Sequence, residues 1–70
     1  MAILSHRLKI QRAQKGVSQK QVAEILGISE RNYRRYENEN IDPLSSNIVK
    51  LADYFEVTTD YLLGRTDEPN

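Results

Sequence analysis

Gly27, Ile28 and Ser29 lie between two apolar-periodic segments and are the only three residues that join them. A connection that short forces two helices to turn sharply on one another. Gly27 supplies the backbone freedom the turn needs. Ile28 is expected to turn inward and fix the angle between the helices, and Ser29 is placed to cap the second one. The same punctuation recurs along the chain. Ser18, Ser29, Ser45 and Thr58 each precede an apolar-periodic segment, as N-caps do. The hydrophobic residue before each cap is matched by another five positions later, the spacing of a hydrophobic staple. The pairs are Val17 with Val22, Ile28 with Tyr33, Leu44 with Val49, and Val57 with Leu62. Ser18 also has Gln21 at the capping-box position. Gly16, Gly27 and Gly64 each close a helix-like segment.

This pattern predicts helices over 2–15, 19–26, 30–38, 46–55 and 59–63, with the longest loop at 38–43. No segment alternates with period two, so no strand is expected. The fold class is all-α: residues 1–64 form one compact five-helix domain, and 65–70 form a polar tail that is expected to fray.

With 70 residues, the chain buries only about 60% of the surface exposed on unfolding. It has no cysteine and a single histidine, so neither disulfides nor a structural metal can staple it. Stability must rest on helix packing or oligomerisation. No cofactor or metal is expected. No apolar run approaches the roughly 20 residues that span a bilayer. His6, Arg7 and Lys9 interrupt the first ten residues, which excludes a signal peptide. A cytoplasmic location without membrane contact is the simplest expectation. An enzyme is not expected either. His6 has no base partner near it in sequence, and no glycine-rich phosphate loop is present.

Net charge is zero but unevenly spread. Residues 1–40 hold eight basic and four acidic side chains, or +4, and residues 41–70 hold two basic and six acidic ones, or −4. Such a division gives one end of the domain an anion-binding field; an ordinary mixed-charge surface is the plain alternative.

Residues advance about 100° per position around a helix, so Tyr33, Tyr36 and Glu37 share one side of the third helix. Arg31, Arg35 and Asn38 lie opposite, flanked by Arg34. The guanidinium fork matches guanine O6 and N7 in the major groove of DNA, while asparagine can pair with adenine or hold a phosphate. Glu30 can accept from cytosine N4 or merely complement the helix dipole. The first turn of the second helix, with Gln19 and Lys20, offers a phosphate seat. Plain solvated helix surface is the alternative for all of these. Glu37 faces the core, where an unpaired carboxylate is costly. Arg12, one turn beyond Leu8, is the cation expected to pair with it and join the first helix to the third.

Over residues 7–63 the chain resembles the lambda-repressor/Cro-like (Xre) helix-turn-helix family. The resemblance is carried by Arg7-Leu8-Lys9, Arg12, Lys15-Gly16-Val17-Ser18-Gln19, Val22-Ala23, Leu26-Gly27-Ile28-Ser29, Tyr33 and Tyr36-Glu37-Asn38. It continues through Pro43, Lys50-Leu51-Ala52-Asp53-Tyr54-Phe55, Val57 and Asp60-Tyr61-Leu62-Leu63-Gly64. It implies a helix-turn-helix at about 18–37, a homodimer on a double-stranded DNA operator with inverted half-sites, and repressor-type regulation of transcription. It also implies a phosphate or base contact for Gln19 and base-proximal positions for Ser29, Glu30, Arg31 and Arg35. Asn38 falls on the backbone contact after the third helix, and Arg12 with Glu37 match the family's inter-helix ion pair. The chain departs from the pattern in three places. Glu39 stands where the family usually has glycine, and must turn away from a phosphate backbone or the loop must sit differently. Gln11 stands where an apolar residue is common. Leu44 and Ser45 are displaced by one from the usual fourth cap.

The competing reading is a protein-interaction module on the same fold, using Ile10, Ile25 and Tyr54 as a partner surface. A DNA-binding antitoxin or a restriction–modification controller would share the domain. For a dimer of this chain, the fifth helix with Tyr61 and Leu63 is the expected interface.

Overall fold

The computed structural model describes residues 2–39 and 41–70; Met1 and Asn40, the latter in the predicted 38–43 loop, lie outside the described residues. The order is α1 (Ala2–Lys15), α2 (Gln19–Leu26), α3 (Glu30–Asn38), α4 (Ser45–Phe55) and α5 (Thr59–Leu62), with no strand among the described residues. The domain is all-α, as expected.

Three of the four predicted caps form. The Ser18, Ser29 and Thr58 side chains accept from the N–H groups of Gln21, Asn32 and Tyr61 at 3.1, 3.1 and 3.0 Å. Gln21 returns a bond to the Ser18 N–H at 2.8 Å and completes the capping box. The staple partners at these three helices all lie in the core or against it.

The fourth start differs. Helix α4 begins with Ser45 inside it and Leu44 as a cap that lends no side-chain bond. Leu44 and Val49 are 72% and 50% exposed and staple nothing. The inward stripe of α4 is Ile48, Leu51, Ala52 and Phe55, with Asn47. Leu51 and Phe55 lie on the Asn47 side of Ile48, and Val49 falls about 100° from Ile48 on the other side, off that stripe. The buried Asn47 amide donates to the Tyr36 hydroxyl at 2.9 Å, which ties α4 to α3.

Helix exits are equally regular. At Gly16, Gly27, Glu56 and Gly64 the backbone turns left-handed, with φ of 73°, 71°, 57° and 81°. Each is followed by a residue whose N–H reaches back to the helix: Val17 to Arg12, Ile28 to Ala23, Val57 to Ala52 and Arg65 to Asp60, at 2.8–3.3 Å. These are Schellman closures. Glu56 alone makes one without glycine, and nothing in the sequence pattern marks it as a closing residue.

The core gathers Leu4 and Leu8 from α1, Val22, Ala23 and Leu26 from α2, and Tyr33 and Tyr36 from α3. Leu51, Ala52 and Phe55 of α4 complete it with Tyr61 and Leu62 of α5. Gln11 takes a buried position on α1 and Ile10 is only half-buried, so glutamine replaces an apolar residue on the inner face. Of the apolar residues expected as a partner surface, Ile25 is exposed, while Tyr54 is half-buried beneath Lys15, whose Nζ lies 4.8 Å from its ring centre.

Residues 65–70, expected to fray, make contacts with the body of the domain. Arg7 stacks on the Tyr61 ring, 4.2 Å from its centre. The same guanidinium donates to the Tyr61 and Thr66 carbonyls and pairs with Asp67 at 2.9 Å. The Thr58 N–H donates to the Pro69 carbonyl at 2.8 Å. Tyr61 is therefore buried under Arg7 and is unavailable as the dimer surface expected of it; Leu63 is half-buried. Arg7 lies on the 4, 7, 8, 11 stripe of α1, so helical periodicity marks it as inward-facing.

A left-handed conformation costs a residue with a Cβ about 1–2 kcal/mol, offset in part by glycine's greater loss of chain entropy. Glu56→Gly is expected to raise unfolding free energy by about 0.5–1 kcal/mol, measured from the urea midpoint. Gly64→Ala should lower it by about 1–3 kcal/mol. A Cβ there would add a contact 2.8 Å from Ile3 Cγ2 to the strain at φ 81°. Opposite signs for the two exchanges are the result to look for.

Candidate nucleic-acid interface

Helix α3 is positioned from behind. Its inner side carries Tyr33, Tyr36 and Glu37, all buried. Glu37 is 1% exposed, and Arg12 of α1 grips it at both oxygens, Nε to Oε2 at 2.8 Å and Nη2 to Oε1 at 3.1 Å. A forked pair of this kind fixes orientation as well as distance. Arg12 also donates to the Val17 carbonyl at 3.2 Å, and Gln19 Nε2 to Glu37 Oε1 at 3.2 Å. One carboxylate thus joins α1, α2 and α3.

Burial works to raise the Glu37 carboxyl, but hydrogen bonds from Arg12 and Gln19, with the charge of Arg12, outweigh it and hold the group below the usual carboxylate range. The Tyr33 hydroxyl lies near this carboxylate but meets no partner within hydrogen-bonding geometry. Burial and the Glu37 charge push its ionisation far up.

The turn into α3 is built as its residues require. Gly27 closes α2 in the left-handed region, Ile28 packs against the core, and Ser29 caps α3. The outer side of α3 then stands clear of the body. Arg31, Arg34, Arg35, Asn38 and Glu39 are exposed and, with Asn32, line a shallow open depression. Arg34 pairs with Glu30 at 2.8 Å and Arg35 with Glu39 at 3.4 Å. Arg31 makes no ion pair among the described residues. Ser29 is exposed, and its oxygen serves the cap. Lys20 is exposed on the first turn of α2, and Gln19 is half-buried there. The structure therefore brings Glu30, Arg31, Arg34, Arg35 and Asn38 together on one helix. It sets Gln19 and Lys20 on the neighbouring helix start, with Gln19 turned onto Glu37. Asn32 belongs to the same outer surface, and its spacing of three from Arg35 would have placed it at the edge of that face.

The arrangement is suited to a polyanion with a groove. An α-helix with its side chains is about 10–12 Å across, and the DNA major groove is about 12 Å wide. The helix-turn-helix profile matches residues 8–62. The chain belongs to the lambda-repressor-like helix-turn-helix family. It is 41% identical over 64 residues to the HTH-type transcriptional regulator ImmR of Bacillus subtilis, covering 91% of this chain and 50% of that protein. It is 40% identical over 67 residues to the cryptic phage CTXphi transcriptional repressor RstR of Vibrio cholerae, covering 93% and 60%. An SPbeta prophage-derived HTH-type regulator of Bacillus subtilis, YonR, matches at 38% over 64 residues, covering 91% and 59%. This chain thus spans about half to three-fifths of these curated relatives. The family consists of transcriptional regulators and is non-enzymatic, in line with the reading of the sequence. No helix among the described residues is long and apolar enough to cross a membrane.

For this helix-turn-helix domain, the Glu37 junction predicts a dependence on acid. A carboxyl whose folded pKa lies below its unfolded one stabilises fully above the unfolded value of about 4.3. That stability is lost as pH falls through the depressed folded value. Tyr33 acts at the other limit: held neutral in the fold, it ionises on unfolding above about pH 10, and stability falls from there upward. Glu37→Gln should flatten the acid limb of a stability–pH profile. Glu37→Ala should cost about 2–4 kcal/mol at neutral pH, less than for a fully buried pair because Arg12 is 26% exposed. An unchanged melting temperature in Glu37→Ala would show that the pair does not hold α3.

Proposed function

We propose that this domain binds double-stranded DNA sequence-specifically by laying α3 in the major groove. We further propose that it serves a cytoplasmic transcriptional regulator of the repressor type. The observation that carries this reading is the contrast between the two sides of α3. Its inner side is locked to α1 by the Arg12–Glu37 fork, while its outer side presents Arg31, Arg34, Arg35 and Asn38. A reading helix needs both, because bidentate base contacts tolerate little misplacement.

In this reading Arg31 and Arg35 address guanine edges, Arg34 and Asn38 flank them, and Ser29 and Glu30 stand at the base-proximal start of the helix. Gln19 and Lys20 hold the phosphate backbone at the start of α2, where free N–H groups and the helix dipole favour an anion. Two copies on an inverted repeat would set the paired helices one turn of DNA apart, about 34–36 Å. The names of the phage-derived repressor and the regulators among its relatives support the repressor role.

Selection from a randomised duplex library with wild type, Arg31→Ala, Arg35→Ala and Lys20→Ala tests the assignment. Each arginine exchange should alter base preference at specific positions and cost about 1–3 kcal/mol on the selected site. Lys20→Ala should weaken all duplexes alike and reduce the slope of log affinity against log salt by about one. Failure of the wild-type protein to enrich any sequence would favour the protein-interaction reading.

A further inference from the structure

Two carboxylates border the outer face of α3. Glu30 occupies its first position and Glu39 its C-cap. Each engages an arginine of that face one turn away: Arg34 Nη2 to Glu30 Oε2 at 2.8 Å, and Arg35 Nε to Glu39 Oε1 at 3.4 Å. The four side chains are 38–54% exposed, so both pairs sit in water. Glu39, expected to turn away from a phosphate backbone, turns onto Arg35. The result is a face of three guanidinium groups and two carboxylates, with Arg31 the one arginine unpaired among the described residues.

We propose that Glu30 and Glu39 are specificity-determining residues that occupy Arg34 and Arg35 in intrahelical ion pairs and so suppress binding to DNA of the wrong sequence. The inference rests on the DNA-binding reading above and deepens it. Non-specific affinity comes from cations meeting phosphates, and falls with every cation that is neutralised. A phosphate approaching Arg34 or Arg35 offers an acceptor, but leaves a released carboxylate facing a further negative charge. A matching base pair makes no such demand. Guanine O6 and N7 give the guanidinium a neutral bidentate acceptor, and a cytosine amino group can donate to the freed Glu30. Exposed pairs spaced by four residues are weak enough to be exchanged in this way. At the Glu30–Arg34 pair the correct site therefore satisfies both members, whereas a phosphate satisfies one and repels the other, and at the Glu39–Arg35 pair a neutral base edge adds no negative charge beside the freed carboxylate. Specificity arises as much from this penalty as from the hydrogen bonds that the right bases supply.

The test measures fluorescence anisotropy with two labelled duplexes, a mixed-sequence one and the operator selected by wild type, across a salt series. The proteins are wild type, Glu39→Gln, the Glu30→Gln/Glu39→Gln double variant and Asp53→Asn as a distant exposed-acid control. The double variant should bind the mixed duplex about tenfold more tightly at low salt, with a salt slope steeper by about 1–2. Its affinity for the operator should rise less, so that the ratio of the two falls. Glu39→Gln, which leaves the start of α3 intact, should show part of the same effect, and thermal melts should match wild type. An equal gain on both duplexes, no gain on either, or an equal gain from Asp53→Asn would overturn the inference while leaving DNA binding standing. Absence of wild-type binding to any duplex would remove the DNA-binding reading itself, and this inference with it.

Discussion

The pairing of Arg12 with Glu37 is the interaction on which the placement of α3 depends. Glu37 is nearly inaccessible to water, and a carboxylate there is tolerable only while Arg12 and Gln19 satisfy it. Apolar packing alone would let a nine-residue helix rock or slide, since dispersion contacts are not directional. The fork from Arg12 removes that freedom. Because Gln19 sits at the start of α2, the same carboxylate also fixes the helix expected to hold the DNA backbone. The two parts of the proposed interface thus share one buried anchor, and a disturbance at either would be felt at the other.

Much of this was legible because the chain states its helix ends chemically. Ser18, Ser29 and Thr58 cap where their staples predict, since side-chain oxygen and apolar spacing there agree. The Arg12–Glu37 geometry followed from one burial argument: a charge on an apolar face demands a counter-charge, and the helical repeat names the candidate. The misreadings have equally physical sources. At α4, a serine and an apolar pair imitate the cap signal one residue out of register, and only the buried stripe through Ile48 and Leu51 decides the phase. Glu56 adopts a glycine conformation, which no residue-type rule announces. The fold of 65–70 depends on an arginine more than fifty positions away, beyond the reach of local pattern. The ion pairs of Arg34 and Arg35 needed coordinates, since spacing by four permits such pairs without requiring them.

The zero net charge takes on a different meaning in this light. Taken over the whole chain it argues against a polyanionic partner, and taken over its two halves it argues for one. The structure adds a finer level: even within the basic half, two of three outward arginines of α3 are already countered by neighbours. What the surface offers a ligand is a set of weakly held cations in a fixed row, with little uncompensated charge. Such a surface is better suited to discriminating among ligands than to attracting them from a distance.

The contacts of Arg7 have a consequence for how the domain opens. They join positions 54, 59 and 60 residues apart, so one side chain closes a loop of nearly the whole chain. Loop-closure entropy grows only slowly with length, so this long closure costs little more than one half its span. In return the two ends of the domain, ordinarily the first places to exchange amide hydrogens independently, are merged into one cooperative unit. Unwinding of α1 through Arg7 releases its contacts with Tyr61 of α5 and with Thr66 and Asp67 beyond it. A polar tail becomes, in effect, the latch of the helical bundle.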